Sequence, residues 1–176
     1  MYSNPTLIET KKFSDTRGFL IPQSFNHSWV QQNISQSTQG TFRGMHFQIG
    51  SSAQAKLVQV LQGSVVDFVV PLSSSDNPTV EHFHLSAENP TIQTTLYVPK
   101  GYAHGFIALE EHTIFHYLVD TPYDPEAERS LHYQSFPQIS KTIQQYGFNM
   151  DTLHISKKDE KAPLFSDWKT RQEPIL

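Results

Sequence analysis

The feature that most constrains this chain is a recurrence of short runs rich in β-branched and aromatic residues, each closed by turn residues. The runs predict strands at Phe19–Phe25, Gly40–His46, Lys56–Gln62, Ser64–Pro71, Glu81–Leu85, Thr95–Val98, His104–Ala108 and Thr113–Val119. Gly18, Gly63, Lys100–Gly101 and Thr121–Pro125 are among the turn signals between them. Short strands at this spacing imply an all-β antiparallel sandwich or barrel of jelly-roll type. Ser64–Pro71 reads SVVDFVVP, nearly continuous apolar sequence, so it predicts a strand buried on both faces with one polar interruption at Asp67. After Pro125 the character changes. Ser140–Tyr146 predicts a helical turn or two, and the polar stretch 151–176 predicts loop and short helix packed over the barrel or across a partner. With no repeat or linker in view, the expectation is one domain over 1–176, its core at about 13–135 and a C-terminal extension at 136–176.

Composition removes several classes of function. The chain has 176 residues, a formal net charge of −4 and no run of Lys or Arg, which argues against a nucleic-acid surface. Cysteine is absent, which excludes disulfides, thiolate catalysis and Cys-based zinc or iron–sulfur sites. No apolar stretch approaches the roughly 18 residues that span a bilayer, and MYSNPTLIETKKF lacks the order of a signal peptide. The expected location is the cytoplasm. Nine histidines leave each open to a role as base or ligand.

Four constellations carry candidate chemistry. In Arg43-Gly44-Met45-His46-Phe47-Gln48, strand alternation puts His46 on a face with Gly44 and Gln48, and puts Arg43 and Phe47 on the other. With Lys56 on the next strand, His46 could be a base beside a cation; on spacing alone, a hydrogen-bonded core histidine and a strand-end lysine are favoured. Pro99-Lys100-Gly101 fixes a turn from which His104 enters a strand pointing inward, as ligand, catalytic group or structural histidine. His82 and His84 share one strand face, and with Glu88 and His104 they follow the order of a metal site in cupin barrels. The favoured alternative has both histidines on an outer face with Phe83 toward the core. Tyr117 shares a face with Phe115 and points inward, either satisfied in the core or offering its hydroxyl to a cavity.

The order of these motifs says more than any one of them. FSDTRGF (13–19), QQNISQS (31–37), FRGMHFQ (42–48), QAKLVQVLQGSVVDFVV (54–70), YVPKGYAHGFIAL (97–109), FHYLVDTPYDPEAE (115–128) and ISKKDEKAP (155–163) run in sequence. Together they resemble the dTDP-4-dehydrorhamnose 3,5-epimerase family of sugar-nucleotide epimerases. The resemblance implies a cupin-type jelly roll that works without metal or other cofactor, as a homodimer. It implies a dTDP-linked 4-keto-6-deoxyhexose as substrate, inverted at carbons 3 and 5, on the way to a deoxysugar of the cell surface.

A ketone acidifies the hydrogens on its neighbouring carbons because the carbanion delocalises as an enolate. Inversion then needs a base on one face, an acid on the other and a group holding the enolate oxygen. The resemblance implies His46 as base, Asp159 as the carboxylate that orients it, Lys56 beside the keto oxygen and Tyr117 as opposite-face donor. It implies substrate binding by Arg17, Arg43, Gln31, Asn33, His104 and Tyr123, with Asp67 in a supporting network.

The chain departs from the family pattern at named places. Pro22 stands where an acidic residue is usual, Pro71-Leu72 where the buried strand usually ends in Asp and an aliphatic residue, Glu81 and Phe83 for Gly and Trp, and Leu118 after the site tyrosine. Two other readings of the scaffold are a metallocupin using His82, His84, Glu88 and His104, and a non-catalytic sugar-nucleotide binding module.

Overall fold

A computed structural model describes residues 3–25, 27–72 and 75–176. The chain forms strands β1 (Thr6–Lys11), β2 (Phe13–Asp15), β3 (Gly18–Leu20), β4 (Gln31–Ser37), β5 (Thr41–Gln48), β6 (Lys56–Gln62), β7 (Ser64–Pro71), β8 (Glu81–Ser86), β9 (Ile92–Val98), β10 (Tyr102–Ala108), β11 (Thr113–Val119), β12 (Glu128–Ser130) and β13 (His154–Ile155). Helices α1 (Pro137–Gln145), α2 (Lys157–Glu160) and α3 (Phe165–Lys169) lie toward the C-terminus. The first sheet has the order β1-β9-β6-β11-β4; the second has β12-β5-β10-β7-β8, with β13 parallel to the start of β5.

The two sheets stack over Val58, Val60, Val65, Val69, Leu96 and Phe106, and the Phe106 and Phe115 rings meet across the gap at 4.1 Å. The outer face of the second sheet is covered in turn. Phe42, Phe68, Ile107 and Met45 pack there against Phe136, Ile139, Ile143, Phe165 and Trp168 of the C-terminal extension. Each such side chain taken from water contributes roughly 1.5–3 kcal/mol. This explains SVVDFVVP: one face of β7 looks into the sandwich, the other under the C-terminal helices, so both are apolar. α1 opens on Pro137, whose missing N–H costs nothing in a first turn.

Three strand expectations match residue for residue: β6, β7 and β11. The expected strand Phe19–Phe25 does not form as such. Only Phe19 and Leu20 are in a strand, the second arm of the short hairpin β2–β3, and Pro22, which cannot donate to a ladder, follows its end. β1 and β4, for which no strand was expected, pair with β9 and β11 at the two edges of the first sheet.

One irregularity decides what faces the sandwich interior. On β10 and β5, His104 pairs with His46, but Phe106 pairs with Arg43, so β5 carries one extra residue. Gly44 takes a φ of +142°, and a Cβ there would lie 2.6 Å from the Cα of Gly105; a Cβ on Gly105 would lie 2.7 Å from the Arg43 carbonyl. Only two facing glycines allow that approach.

Candidate active site

The cleft between the sheets holds a cavity of about 780 Å³, lined by Asn33, Arg43, His46, Lys56, His104, Tyr117, Lys158 and Asp159 among others. A smaller lobe of about 220 Å³ shares Asn33, His46, Lys56 and Tyr117 and adds Gln31, Tyr123 and Glu128. Pairing of β11 puts Tyr117 opposite Asn33 and Val58, and Val119 opposite Gln31 and Lys56. The first sheet thus presents Gln31, Asn33, Lys56 and Tyr117 on its inner face, while Arg43, His46 and His104 come from the second. The imidazole of His46 and the phenol of Tyr117 belong to opposite walls of one cleft.

The expectation that Arg43 lies on the face opposite His46 is overturned. The extra residue at Gly44 resets the alternation, and both side chains line the same cavity. The Arg43 guanidinium donates to Ser37 Oγ at 3.1 Å and to the Gln36 carbonyl at 3.2 Å.

His46 Nε2 is 2.7 Å from Asp159 Oδ1. With Nε2–H donated to the carboxylate, the ring's lone pair is on Nδ1. Asp159 is buried in α2, whose first turn is capped by Ser156 accepting from the Asp159 N–H. Burial acts to raise the Asp159 carboxyl, but hydrogen bonding to His46, Ser156 and the Gly44 backbone, with the imidazole charge, holds it below the usual range. The dyad is therefore a carboxylate behind a ring able to take a proton.

Lys56 sits beneath them, its Nζ 3.5 Å from the His46 carbonyl. Burial pushes its ammonium down to about 8, against the opposing pull of Asp67 and Glu128. Asp67 is fully buried, 2.8 Å from His104 Nε2. Burial raises its carboxyl, with His104 and Lys56 opposing, and its second oxygen has no hydrogen-bond partner among the described residues. Burial and nearby Glu128 raise the Tyr117 phenol, Arg43 opposing, so it stays protonated.

Gln31 accepts from the Tyr123 N–H at 2.9 Å and donates to Asn33 Oδ1 at 2.8 Å. Tyr123 Oη donates to Glu128 at 2.8 Å, and Lys158 also pairs with Glu128. Burial tends to raise Glu128, but Lys158, Tyr123 and His46 hold it low. Sequence reading passes over Glu128 and Lys158: Glu126 stands two residues before Glu128 and Lys157 directly precedes Lys158, and nothing in a DPEAE or SKKDE run says which one faces the cleft. Arg17 is the site candidate the chain does not bring in. It lies exposed at the β2–β3 turn, paired with Asp15.

The metal constellation does not assemble. Pairing of β7 and β8 sets Phe83 beside Asp67 on the inner face, with His82 and His84 exposed on the outer one, His84 stacked on Tyr146 at 6.0 Å. His104 points the other way into the cleft, and Glu88 is on an exposed loop. The reason is the strand period: residues 82 and 84 share a face, but it is the wrong one.

Comparison with known proteins places the chain among its relatives. The family model for dTDP-4-dehydrorhamnose 3,5-epimerase matches residues 3–167. The chain is 38% identical over 175 residues to the dTDP-4-dehydrorhamnose 3,5-epimerase of Escherichia coli, covering 88% of this chain and 86% of that one. It is 36% identical over 174 residues to that of Sinorhizobium fredii, covering 89% and 83%. The dTDP-6-deoxy-D-glucose-3,5-epimerase of Legionella pneumophila, solved in complex with dTDP-4-keto-L-rhamnose, superposes with a TM-score of 0.82 at 30% identity, over 98% of this chain and 93% of that one.

Proposed function

Because the chain belongs to the dTDP-4-dehydrorhamnose 3,5-epimerase family, we propose that it epimerises a dTDP-linked 4-keto-6-deoxyhexose next to its ketone, at carbons 3 and 5. His46 Nδ1 takes the proton from the carbon beside the carbonyl, and the C–H electron pair moves into an enolate. Asp159 stabilises the resulting imidazolium. Lys56 faces the oxygen on which the charge collects; one preorganised donor of this kind is worth roughly 3–4 kcal/mol in a site closed to water. Tyr117 gives its proton to the opposite face of the carbon, the enolate collapses to the ketone, and the centre is inverted. Arg43, Gln31, Asn33, His104, Tyr123, Glu128 and Lys158 hold the sugar and the nucleotide diphosphate.

The observation that carries this reading is one cavity lined by an imidazole–carboxylate pair on the side of the second sheet and by a protonated phenol on the first, with a buried ammonium also lining it. A pure binding module has no use for a base and an acid on opposite walls. Proton NMR in deuterium oxide on a panel of keto-sugar nucleotides tests the reading. Solvent deuterium appears at carbons 3 and 5 of the dTDP-linked 4-keto-6-deoxy sugar; folded protein that washes deuterium into none of the panel refutes it.

A homodimer completes the proposal. Phe13, Phe19 and Leu20 of the β2–β3 hairpin are more than half exposed, and Arg17 at its turn is exposed and outside the lining of its own cleft. Both are accounted for if the hairpin packs on a second copy. Among the described residues no helix is long and apolar enough to cross a membrane, and a nucleotide-linked substrate puts the proposed site of action in the cytoplasm.

A further inference from the structure

The family match ends at residue 167, and the chain continues for a segment that returns to the sheet carrying the proposed base. Trp168 Nε1 donates to Glu173 Oε2 at 2.9 Å, and the Arg129 Nε–H is shared by both Glu173 oxygens at 2.9 and 2.8 Å. The same guanidinium donates through Nη1 to the carbonyls of Glu126 at 2.8 Å and Glu128 at 2.9 Å. The Trp168 ring meets Phe47 edge to face at 5.1 Å, and the Pro174 carbonyl accepts from the Gly50 N–H at 3.1 Å. Arg129 and Glu173 keep only 25% and 20% of their side-chain exposure, so this is not an ordinary solvated ion pair.

What the pair grips is the backbone on the far side of the cleft wall. Arg129 stands opposite Phe47, while its neighbour Glu128 stands opposite Gln48. Glu128 lines the smaller lobe and holds Tyr123 and Lys158. One carboxylate near residue 176 thus anchors, through a single guanidinium, the Glu126 and Glu128 carbonyls on either side of Ala127, where the loop carrying Tyr123 enters β12.

We infer that residues 168–176 form a clasp in which Glu173 and Arg129 are positioning residues for the substrate-binding rim Tyr123–Glu128–Lys158. The inference rests on the proposed epimerase reading for what the rim holds. It concerns affinity and not proton transfer, because His46, Lys56, Tyr117 and Asp159 stand on β5, β6, β11 and α2, and their hydrogen bonds among the described residues go elsewhere than the clasp.

The test uses the full chain with Glu173→Gln, and Glu173→Asp as a milder second variant if the first folds poorly. Amide hydrogen exchange is followed over residues 123–130, and KM and kcat are measured with the dTDP-linked 4-keto sugar. The expected result is faster exchange confined to 123–130, KM raised about tenfold, the scale of one loosened charge-assisted hydrogen bond, and kcat within about twofold of the parent. Unchanged exchange over 123–130 overturns the clasp. Faster exchange with unaltered KM, or a loss confined to kcat, overturns its link to binding. If the parent protein turns over no keto sugar, the epimerase reading fails by itself, and the exchange data still decide whether the tail holds the rim.

Discussion

His46 and Asp159 are 113 residues apart in the chain and 2.7 Å apart in the fold. That contact exists because β13 adds to β5 in parallel and α2 follows at once, delivering the carboxylate behind the ring. Without it the imidazole lacks the negative charge that stabilises its protonated form.

His46→Ala therefore abolishes solvent exchange at the carbons flanking the ketone. Asp159→Asn keeps a hydrogen-bonding side chain but removes the charge, and it slows exchange by about 10²–10⁴-fold, the range of a compromised general base. Single-turnover deuterium wash-in checks both; parent-like exchange in His46→Ala removes the base assignment.

Lys56 sets a basic limit. Its pKa in the folded chain is about 8 against an ordinary 10.5. Below pH 8 the folded protein carries a buried ammonium at a cost of roughly 3 kcal/mol. Between 8 and 10.5 the unfolded chain binds a proton the folded chain has shed, so this group's contribution to stability improves as pH rises. Activity moves the other way, since the enolate loses its cation. The profile of kcat/KM against pH falls off near pH 8, and Lys56→Arg, which stays charged, moves that limb upward. A profile with the same limb in Lys56→Arg assigns it to another group.

The facing glycines of β5 and β10 carry the bulge that turns Arg43 into the cleft. Gly44→Ala forces a Cβ to 2.6 Å from Gly105 Cα at a φ of +142°. We expect a loss of at least about 2 kcal/mol of stability, read from urea unfolding; a neutral result contradicts the tight approach.

How much of this was legible in the residues depends on what each one faces. β6, β7 and β11 announce themselves because they lie inside their sheets and bury β-branched or aromatic side chains. β1 and β4 do not, because they are edges; the inner face of β4 is Gln31, Asn33, Ser35 and Ser37, polar because part of it lines the cleft. The order of motifs pointed to His46, Lys56, Tyr117 and Asp159, and all four line one cavity. Strict alternation misplaces Arg43 because it has no place for the residue inserted in β5, whose only mark in the sequence is the pair Gly44 and Gly105. Glu128 and Lys158 are legible only in the fold, since Glu126 two residues before the one and Lys157 next to the other leave open which carboxylate or ammonium turns inward.

The central claim is that proton removal and return occur from opposite walls of the cleft. The most direct measurement is the stereochemistry of deuterium incorporation by Tyr117→Phe in deuterium oxide. With the phenol gone and His46 intact, the sugar recovers deuterium on the face it lost hydrogen from, so label enters with configuration retained and little inverted product forms. Inverted product at the parent rate, or no label entering at all, contradicts the account.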